Sequence, residues 1–410
     1  MSTTTDINTC WSNIDFKSAE YNIKRLQMRI AKAYINDDLV LMSYLQHKLM
    51  HSYYAKVLSI KYVSSNNGYR TPGIDNVTWM NLSDRVDAIS SLKLRGYKPM
   101  PVKRIYIDKA SGKKRPLGIP TLKDRAMQTL YKLAIDPIAN VTADACSFAY
   151  RKGKGCRDAI AYIYKLLNRS NEFKFVLKLD IKSCFDSIDH AWLLDNIPFD
   201  KKLLSDILKC GYIENGIYHE SNRGIPQGGC LSSVLCNMTL DGLEPTVLDT
   251  WQGNIRIIRY ADDCLLFADN ELVLVQEVLP KIKEFIGVRG LQLSEEKTMY
   301  CRLDEDTTFL GFTFNKKNET VIFQPSSRNI ARYYDKLQEI LLHESDSTPQ
   351  FIYKKIFPIV RGWFNYYIGI VNSDTLYSME YDTINMCNNI TGNTKLAEIM
   401  NNKLFSKMSY

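Results

Sequence analysis

Histidine is scarce in this sequence, and its cysteines are never closely paired. The 410 residues include five histidines and ten cysteines, and no two cysteines have the Cys-x-x-Cys spacing. A structural zinc site or a disulfide framework needs such clustered ligands or paired thiols. The sequence therefore excludes a zinc-binding module and a disulfide-stapled domain, and we interpret the cysteines as reduced, small apolar residues.

Long apolar runs are also missing. No stretch approaches the roughly 18 to 20 apolar residues that span a bilayer. The first ten residues, MSTTTDINTC, have neither the basic nor the apolar region of a signal peptide. We therefore expect a cytoplasmic protein with no membrane partner.

Positive charge is present in only modest excess, but it is concentrated. Lys and Arg exceed Asp and Glu by eight over the whole chain, whereas residues 91–125 alone contain eleven Lys or Arg and two Asp. That window carries +9, so the remainder of the chain carries −1. A basic patch on a near-neutral body favours a polyanionic partner, either nucleic acid or a nucleoside triphosphate.

The length predicts two or three domains, and hydrophobic periodicity indicates a mixture of helices and strands. Helical spacing over residues 19–34 and about 38–61 predicts an N-terminal helical pair. This pair is either a separate small lobe that grips a template or simply two packing helices. Residues 102–119 are typical of a β-hairpin with basic residues on both arms. After Pro325 the pattern is mostly helical and includes the aromatic segment RGWFNYY at 361–367.

Three aspartates stand at the ends of predicted strands. Residues 255–268 are typical of two short apolar strands with Asp262 and Asp263 between them, and the predicted strand 173–181 ends near Asp180. Crowded carboxylates repel one another and lose hydration unless a cation compensates. If the three converge, they suit two Mg²⁺ ions about 3.5–4 Å apart, which is the arrangement for phosphoryl transfer. The alternative is that Asp262 and Asp263 form an ordinary solvated turn.

Six further segments stand out along the chain. They are RPLGIPTLKDRAMQ (115–128), SFAYRKGKGCRDAI (147–160), LDIKSCFDSID (179–189), RGIPQGGCLSSVLCNM (223–238), YADDCLLF (260–267) and GLQLSEEKT (290–298). In this order and spacing they resemble the motifs of group II intron-like bacterial reverse transcriptases. The resemblance covers roughly residues 10–370.

The resemblance implies an α+β fold of the right-hand polymerase type, with fingers, a palm with an antiparallel sheet, and an α-helical thumb. The implied domains are an N-terminal helical extension at 1–70, fingers at 71–172, a palm at 173–324 and a thumb at 325–410. The last of these is maturase-like at 361–367.

The resemblance also implies catalytic roles for Asp180, Asp262 and Asp263. Asp180, Asp262 and the backbone carbonyl of Ile181 would hold two Mg²⁺ ions, for which Mn²⁺ is a possible substitute, and Asp263 would support them. Lys297 is a further candidate, as a general acid for the leaving pyrophosphate.

For the incoming deoxynucleotide (dNTP), the implied contacts are Lys109, Arg115, Ile181, Phe185 and Gln227. Lys109 and Arg115 would neutralise the triphosphate. Phe185 would exclude a 2′-hydroxyl, and Gln227 would pack beside the nucleotide. Without the resemblance, Lys109 and Arg115 would be interpreted as solvated charges on a hairpin, and Phe185 as a core residue.

Two segments are candidates for nucleic-acid contacts. Phe309, Leu310, Gly311 and Phe312 resemble the primer-grip hairpin of these enzymes, although a plain core strand fits the same pattern. On the basic hairpin, the predicted RNA-binding residues are Lys103, Arg104, Lys113 and Lys114.

We expect an RNA-directed DNA polymerase whose partners are an RNA template, dNTPs and a DNA product. Residues 374–410 contain three Lys and no Arg or His, so we expect neither a nuclease with clustered His and Cys nor a strongly basic tail there. In this respect the sequence departs from group II intron proteins, and the difference favours a stand-alone bacterial enzyme of antiviral defence. Such an enzyme copies a companion structured non-coding RNA. The alternatives are a group II intron-encoded reverse transcriptase/maturase and an RNA-binding splicing protein in which polymerisation is incidental.

Overall fold

A computed structural model of the chain describes residues 11–108, 112 and 114–408, in which helices surround three small sheets. The helices are α1 (Phe16–Ile35), α2 (Leu39–His51), α3 (Tyr53–Ser65), α4 (Leu82–Ser91), α5 (Leu122–Thr142), α6 (Cys156–Arg169), α7 (Cys184–Ser187), α8 (His190–Asn196), α9 (Lys201–Leu208), α10 (Ser232–Leu240), α11 (Leu243–Leu248), α12 (Leu279–Gly287), α13 (Ser327–His343), α14 (Pro349–Tyr367), α15 (Ser373–Thr391) and α16 (Thr394–Lys403). The strands are β1 (Val102–Asp108), β2 (Lys114–Ile119), β3 (Phe175–Asp180), β4 (Tyr212–Glu214), β5 (Ile217–His219), β6 (Ile255–Tyr260), β7 (Asp263–Ala268), β8 (Met299–Arg302), β9 (Thr307–Phe309), β10 (Phe312–Lys317) and β11 (Thr320–Pro325).

The N-terminal helices confirm only part of the periodicity. α1 begins after Asp15, whose carboxylate accepts hydrogen bonds from the N–H groups of Lys17 and Ser18 at 3.0 Å. An Asp at this place satisfies donors that the first helical turn leaves unpaired. The prediction of a single second helix at about 38–61 is wrong, because Ser52 adopts an extended conformation that separates α2 from α3.

These helices are not a separate lobe. Ile23 and Ile30 of α1 belong to the same buried cluster as Leu130 of α5. The side chain of Gln46 donates to the carbonyl oxygens of Ala134 (3.3 Å) and Pro198 (3.1 Å). The N-terminal helical extension therefore packs as part of the body that contains α5.

The basic sheet, which we define as β1, β2, β4 and β5, has the order β2-β1-β4-β5. β1 and β2 form the antiparallel hairpin predicted at 102–119. β4 joins β1 in parallel, through pairing of Val102 with Tyr212 and of Lys103 with Ile213. The second hairpin, β4–β5, lies far along the chain from β1. Local patterning therefore did not predict that β4 pairs with β1.

The central sheet, which we define as β3, β6, β7 and β8, has the order β6-β7-β3-β8 and is antiparallel throughout. Successive residues of a strand point to opposite faces. Accordingly, Cys264 and Leu266 of β7 lie in one buried cluster, whereas Leu265 and Phe267 lie in the other. Both faces of the sheet are covered at β7, which explains why residues 264–268 of this strand are continuously apolar.

The second buried cluster extends from the central sheet into the C-terminal helices α13–α16. It includes the three-stranded sheet of order β11-β10-β9. These helices form the α-helical region expected after Pro325. Within the part of the chain described by the structure, no helix has both the length and the apolar character needed to cross a membrane.

Candidate functional site

Asp262 lies in the tight turn between β6 and β7. Tyr260 pairs with Asp263 across the hairpin, so Ala261 and Asp262 form a two-residue turn. Ala261 has a φ of 58°, a conformation that glycine normally supplies in hairpin turns. A left-handed conformation costs an alanine about 1–2 kcal/mol. Surrounding contacts must hold such a turn in place.

The three aspartates lie at one end of the central sheet. Asp180 and Asp263 are directly paired across β3 and β7, and side chains of such pairs share a face. Burial, followed by the charges of Asp262 and Asp180, raises the pKa of Asp263 to about 6. Burial and the charge of Asp180 also raise the pKa of Asp262. The carboxylates therefore interact electrostatically, and a cation placed among them would relieve both effects.

A metal ion at this site needs a donor besides the carboxylates. Among the described residues, no three His, Cys, Asp or Glu side chains stand close enough to hold a metal ion by themselves. The backbone carbonyl of Ile181 is suitably oriented. On the β8 side of this residue, Ser294 N–H donates to the Asp180 carbonyl at 2.8 Å. Lys182 N–H donates to the Gln292 carbonyl, also at 2.8 Å. In antiparallel pairing, this pattern turns the carbonyl between them to the opposite side, where β7 lies.

Lys297 forms an ion pair with Asp180. Its Nζ lies 2.8 Å from Asp180 Oδ2, and this hydrogen bond raises the pKa of Lys297. The residue belongs to a loop that is fastened to the Asp180 carbonyl through Ser294. The structure therefore places a protonated amine directly beside the carboxylates.

The carboxylates open onto a cleft with a volume of about 1910 Å³. Eight of the predicted residues line this cleft: Lys114, Arg115, Asp180, Ile181, Phe185, Gln227, Asp262 and Lys297. The predicted contact Lys109 lies outside the described residues. The cleft thus combines cationic, apolar and amide groups next to the carboxylates, as a site for a nucleoside triphosphate requires.

Gln227 belongs to a loop that lies against the backbone of β2. Gly118 N–H donates to the Gln227 carbonyl at 2.6 Å. A Cβ on Gly228 would lie 2.3 Å from the Gly118 carbonyl oxygen, and Gly228 has a φ of 118°, so only glycine fits there. The Gln227 side chain donates to Asp186 Oδ2 at 3.2 Å. This contact holds it beside the short helix that carries Phe185.

The loop after α3 also lines the cleft, and the sequence did not predict this. Arg125 of α5 donates hydrogen bonds to the carbonyl oxygens of Gly68 and Thr71, both at 2.7 Å. Gly68, Thr71 and Asn66 all face the cleft. The composition of this segment predicts only a loop. The sequence feature that pointed to its contact was Arg125, which belongs to the 115–128 motif.

Tyr150 is a second cleft residue that the sequence did not single out. It has a φ of 56° and lies in the same cleft as Asp262 and Arg115. Burial raises the pKa of Tyr150, and the charge of Asp262 adds to this effect. Its place in the motif at 147–160 was the available signal.

A buried ion pair lies under the Ala261–Asp262 turn. Arg259 is 2% exposed, and its Nη2 lies 2.6 Å from Asp241 Oδ1. Its Nη1 donates to Asn237 Oδ1 at 3.2 Å and approaches the Ala261 carbonyl oxygen at 3.5 Å. Asn237 in turn donates to the Ala149 carbonyl at 2.7 Å. Burial outweighs the charge of Arg259 and raises the pKa of Asp241 to about 6. The pair thus connects the turn to the segment that precedes Tyr150.

The predicted RNA-binding residues do not form one surface. In the register of β1 and β2, Arg104 and Lys114 lie on one face of the basic sheet, whereas Lys103 lies on the other. The Arg104 guanidinium stacks over the ring of Tyr212 at 4.0 Å. Lys114 lines the cleft, and Lys113 lies outside the described residues. The four residues therefore do not share one face, because adjacent residues of a strand alternate in direction, and RNA binding by Lys103 stays a prediction.

The predicted primer-grip segment forms the turn between β9 and β10. Phe309 and Phe312 are paired and buried, 2% and 0% exposed, so their rings belong to the core. Leu310 and Gly311 form the turn, with φ values of 47° and 81°. Only this two-residue turn remains available to contact a nucleic acid.

Family models match three parts of the chain. The model described as reverse transcriptase (RNA-dependent DNA polymerase) matches residues 107–314, just over half of the chain, and its range includes Asp180, Asp262 and Asp263. The model described as the N-terminal domain of reverse transcriptase matches residues 11–92. The model described as the group II intron, maturase-specific domain matches residues 330–386.

Individual proteins are similar over much of the chain. The group II intron-encoded protein LtrA of Lactococcus lactis subsp. cremoris is 28% identical over 373 residues, which cover 73% of this chain and 62% of LtrA. Protein YkfC of Escherichia coli (strain K12) is 27% identical over 323 residues, which cover 65% of this chain and 84% of YkfC. The chain therefore spans less than two thirds of the length of LtrA. A structure of apo telomerase from Candida Tropicalis overlaps 77% of this chain and 67% of its own, with 15% identity and a TM-score of 0.47.

Proposed function

Because the chain belongs to the reverse transcriptase (RNA-dependent DNA polymerase) family, we propose that it is an RNA-directed DNA polymerase that extends a primer along an RNA template. The observation that carries the proposal is the convergence of Asp180, Asp262 and Asp263 beside a cleft of about 1910 Å³ that also contains Arg115 and Gln227. Family membership identifies the fold as the right-hand type. We assign its fingers, palm and thumb to the segments 71–172, 173–324 and 325–410.

The residues of this site have distinct roles in nucleotide transfer. Asp180, Asp262 and the Ile181 carbonyl would hold the metal ions, with Asp263 in support. Bound Mg²⁺ would activate the primer 3′-hydroxyl and stabilise the leaving pyrophosphate. Arg115 offers a planar pair of donors to the triphosphate, and Lys297 carries a proton that the leaving group requires. The positions of these groups at or beside the cleft support these roles.

The cleft also supports a preference for deoxynucleotides. Phe185 lines it five residues after Asp180, on the short helix α7. The backbone carbonyl of Phe185 accepts a hydrogen bond from Ile225 N–H at 2.6 Å, which restrains this helix. A restrained aromatic ring beside the sugar disfavours a 2′-hydroxyl by steric exclusion. The substrate would therefore be a dNTP.

For the biological role, the comparisons favour a group II intron-type reverse transcriptase/maturase over a dedicated defence enzyme. Residues 330–386 match the maturase-specific domain, and LtrA is a group II intron-encoded protein. The RNA partner would then be a structured intron RNA, and the basic sheet supplies positive charge for it. The copying of a companion non-coding RNA in antiviral defence is the competing proposal.

Polymerase activity is tested by extending a DNA primer on an RNA template in the presence of Mg²⁺. We expect the wild type to synthesise DNA and the Asp262→Asn/Asp263→Asn variant to lose synthesis but retain RNA binding. The control variant Asp195→Asn/Asp346→Asn removes two exposed carboxylates and should remain active. Full activity of the Asp262→Asn/Asp263→Asn variant would refute the proposed site.

The biological role is tested by sequencing the RNA and newly made DNA that co-purify with the protein from its native cells. Intron RNA, or DNA that matches an intron or a spliced junction, would support the intron role. DNA that matches one neighbouring non-coding RNA, present only with the wild type, would support defence instead. One enriched RNA without any DNA would indicate an RNA-binding protein.

A further inference from the structure

The aromatic segment RGWFNYY at the end of α14 has no assigned role in the chemistry above. Part of it is core: the Trp363 ring packs on the rings of Tyr333 (4.8 Å between centroids) and Tyr367 (4.5 Å), and Phe364 is fully buried. Packing accounts for these rings, but it does not explain why Tyr366 and Tyr367 carry hydroxyl groups.

Both hydroxyl groups hold the same turn. Tyr366 Oη donates to the Leu310 carbonyl at 2.7 Å, and Tyr367 Oη donates to the Gly311 carbonyl at 2.9 Å. Asn329 Nδ2 donates to Tyr367 Oη at 3.0 Å, which fixes that hydroxyl group. Leu310 has a φ of 47°, which is unfavourable for a residue with a side chain. The turn therefore depends on these outside contacts for its conformation.

The turn also has no room to move toward the thumb. A Cβ on Gly311 would lie 2.2 Å from Asn329 Nδ2. On the same side, Ser326 N–H donates to the Gly311 carbonyl at 2.9 Å. The turn packs between the start of α13 and the end of α14. The thumb helices therefore determine the position of the turn.

The same end of α14 shares a core with the hairpin that carries Asp262. Tyr366 and Tyr260, the residue that precedes the Ala261–Asp262 turn, both pack against the buried cluster shared by the central sheet and the C-terminal helices. Arg157 donates to the carbonyl oxygens of Asn365 and Ile368, both at 2.7 Å. The end of α14 is therefore held against α6 and against the same core as the hairpin that carries Asp262.

We propose that Tyr366 and Tyr367 are positioning residues that hold the 310–311 turn against the primer strand at a fixed distance from the catalytic aspartates. With both carbonyls of the turn taken by tyrosine hydroxyls, its N–H groups are the backbone groups left for a ligand, and N–H donors suit a primer phosphate. This inference rests on the proposed polymerase function. Tyr366 and Tyr367 lie within the segment that matches the maturase-specific domain, and the inference gives them a part in polymerisation.

The test uses variants that remove only hydroxyl groups. Tyr366→Phe/Tyr367→Phe keeps the rings and their packing. Tyr353→Phe is the matched control, because Tyr353 lies on the same helix and packs against Phe357 (5.3 Å between centroids). Dissociation of a labelled DNA primer on an RNA template is measured without nucleotides, so that binding is scored separately from synthesis.

We expect the double variant to release the primer–template about three- to tenfold faster and to make shorter products per binding event, with the KM for dNTP and the melting temperature nearly unchanged. A neutral methylphosphonate is placed at each of the last primer linkages, one linkage at a time. This identifies the phosphate that the 310–311 turn contacts. At one linkage it should weaken wild-type binding several-fold and weaken binding of the double variant by less than twofold.

An equal methylphosphonate effect in both proteins, or a lowered melting temperature with unchanged primer release, would overturn the proposal and leave a purely structural role. Absence of DNA synthesis by the wild type, with the expected primer-release result intact, would instead count against the polymerase function. The two failures are therefore distinguishable.

Discussion

We expect replacement of the buried Arg259–Asp241 pair to affect the stability of the protein and its polymerase activity separately. Arg259→Met alone leaves the Asp241 carboxylate, which is 6% exposed, without its partner. Breaking a buried pair costs about 3–5 kcal/mol, whereas replacing both members by apolar side chains is often neutral. With an unfolding entropy of about 2.1 cal/mol/K per residue, a loss of about 4 kcal/mol lowers the Tm of a cooperative unit of this size by roughly 5 °C.

The double variant Arg259→Met/Asp241→Leu should therefore recover most of that Tm. It should not recover activity, because the contacts of Nη1 with Asn237 and with the Ala261 carbonyl are still missing. A displacement of about 1 Å in a reacting group can cost about 10²-fold. We therefore expect the kcat for single-nucleotide addition to remain at least about tenfold below that of the wild type.

Thermal melting and single-nucleotide addition are measured on the wild type, the single variant and the double variant. The surface pair Lys201–Asp195, 3.4 Å apart with side chains 69% and 73% exposed, provides the control Lys201→Met/Asp195→Leu, which should change neither quantity. Recovery of both Tm and kcat in the Arg259→Met/Asp241→Leu variant would refute the idea that this pair positions the catalytic turn.

Four further predictions follow from single features of the site. Phe185→Ala should raise the incorporation of ribonucleotides relative to dNTPs by at least about tenfold in competition assays; an unchanged ratio would return Phe185 to a core role. Gly228→Ala should lower kcat/KM and Tm together, because its Cβ meets the Gly118 carbonyl at 2.3 Å, whereas the control Gly287→Ala meets no atom within 4 Å and should be tolerated. Lys114→Ala should reduce the slope of log Kd for RNA against log salt by about 0.7–0.9, and Lys103→Ala on the opposite face by clearly less; equal effects would mean that both faces bind RNA. The folded-state pKa of Asp241, about 6, lies above the unperturbed value of 3.8, so the stability that this group contributes is complete below about pH 4 and is lost as the pH rises through 6. The Tm of the wild type should therefore fall relative to that of the Arg259→Met/Asp241→Leu variant between about pH 4 and 6.5, and a constant difference would contradict this.

Local patterning was sufficient for the parts of the site that are local in the chain. The two short apolar runs of 255–268 predicted the hairpin whose strands are β6 and β7, and the residues between them are the turn that carries Asp262. The basic hairpin at 102–119 was equally visible, because both of its strands and their connection lie within one short segment. The break at Ser52 was not visible, because no glycine or proline stands near it in residues 45–56.

The sequence by itself therefore determined the chemistry of this protein: which carboxylates stand at strand ends, which segment is basic, and which motifs resemble a reverse transcriptase. Only the tertiary structure decided which distant groups meet these residues. Arg125 meets the loop at 68–71, Arg259 meets Asp241, and Tyr366 and Tyr367 meet the 310–311 turn. The physical reason is that strand and turn formation depend on neighbouring residues, whereas these contacts depend on how the cores bring separate elements together, and no short-range pattern in the sequence records that.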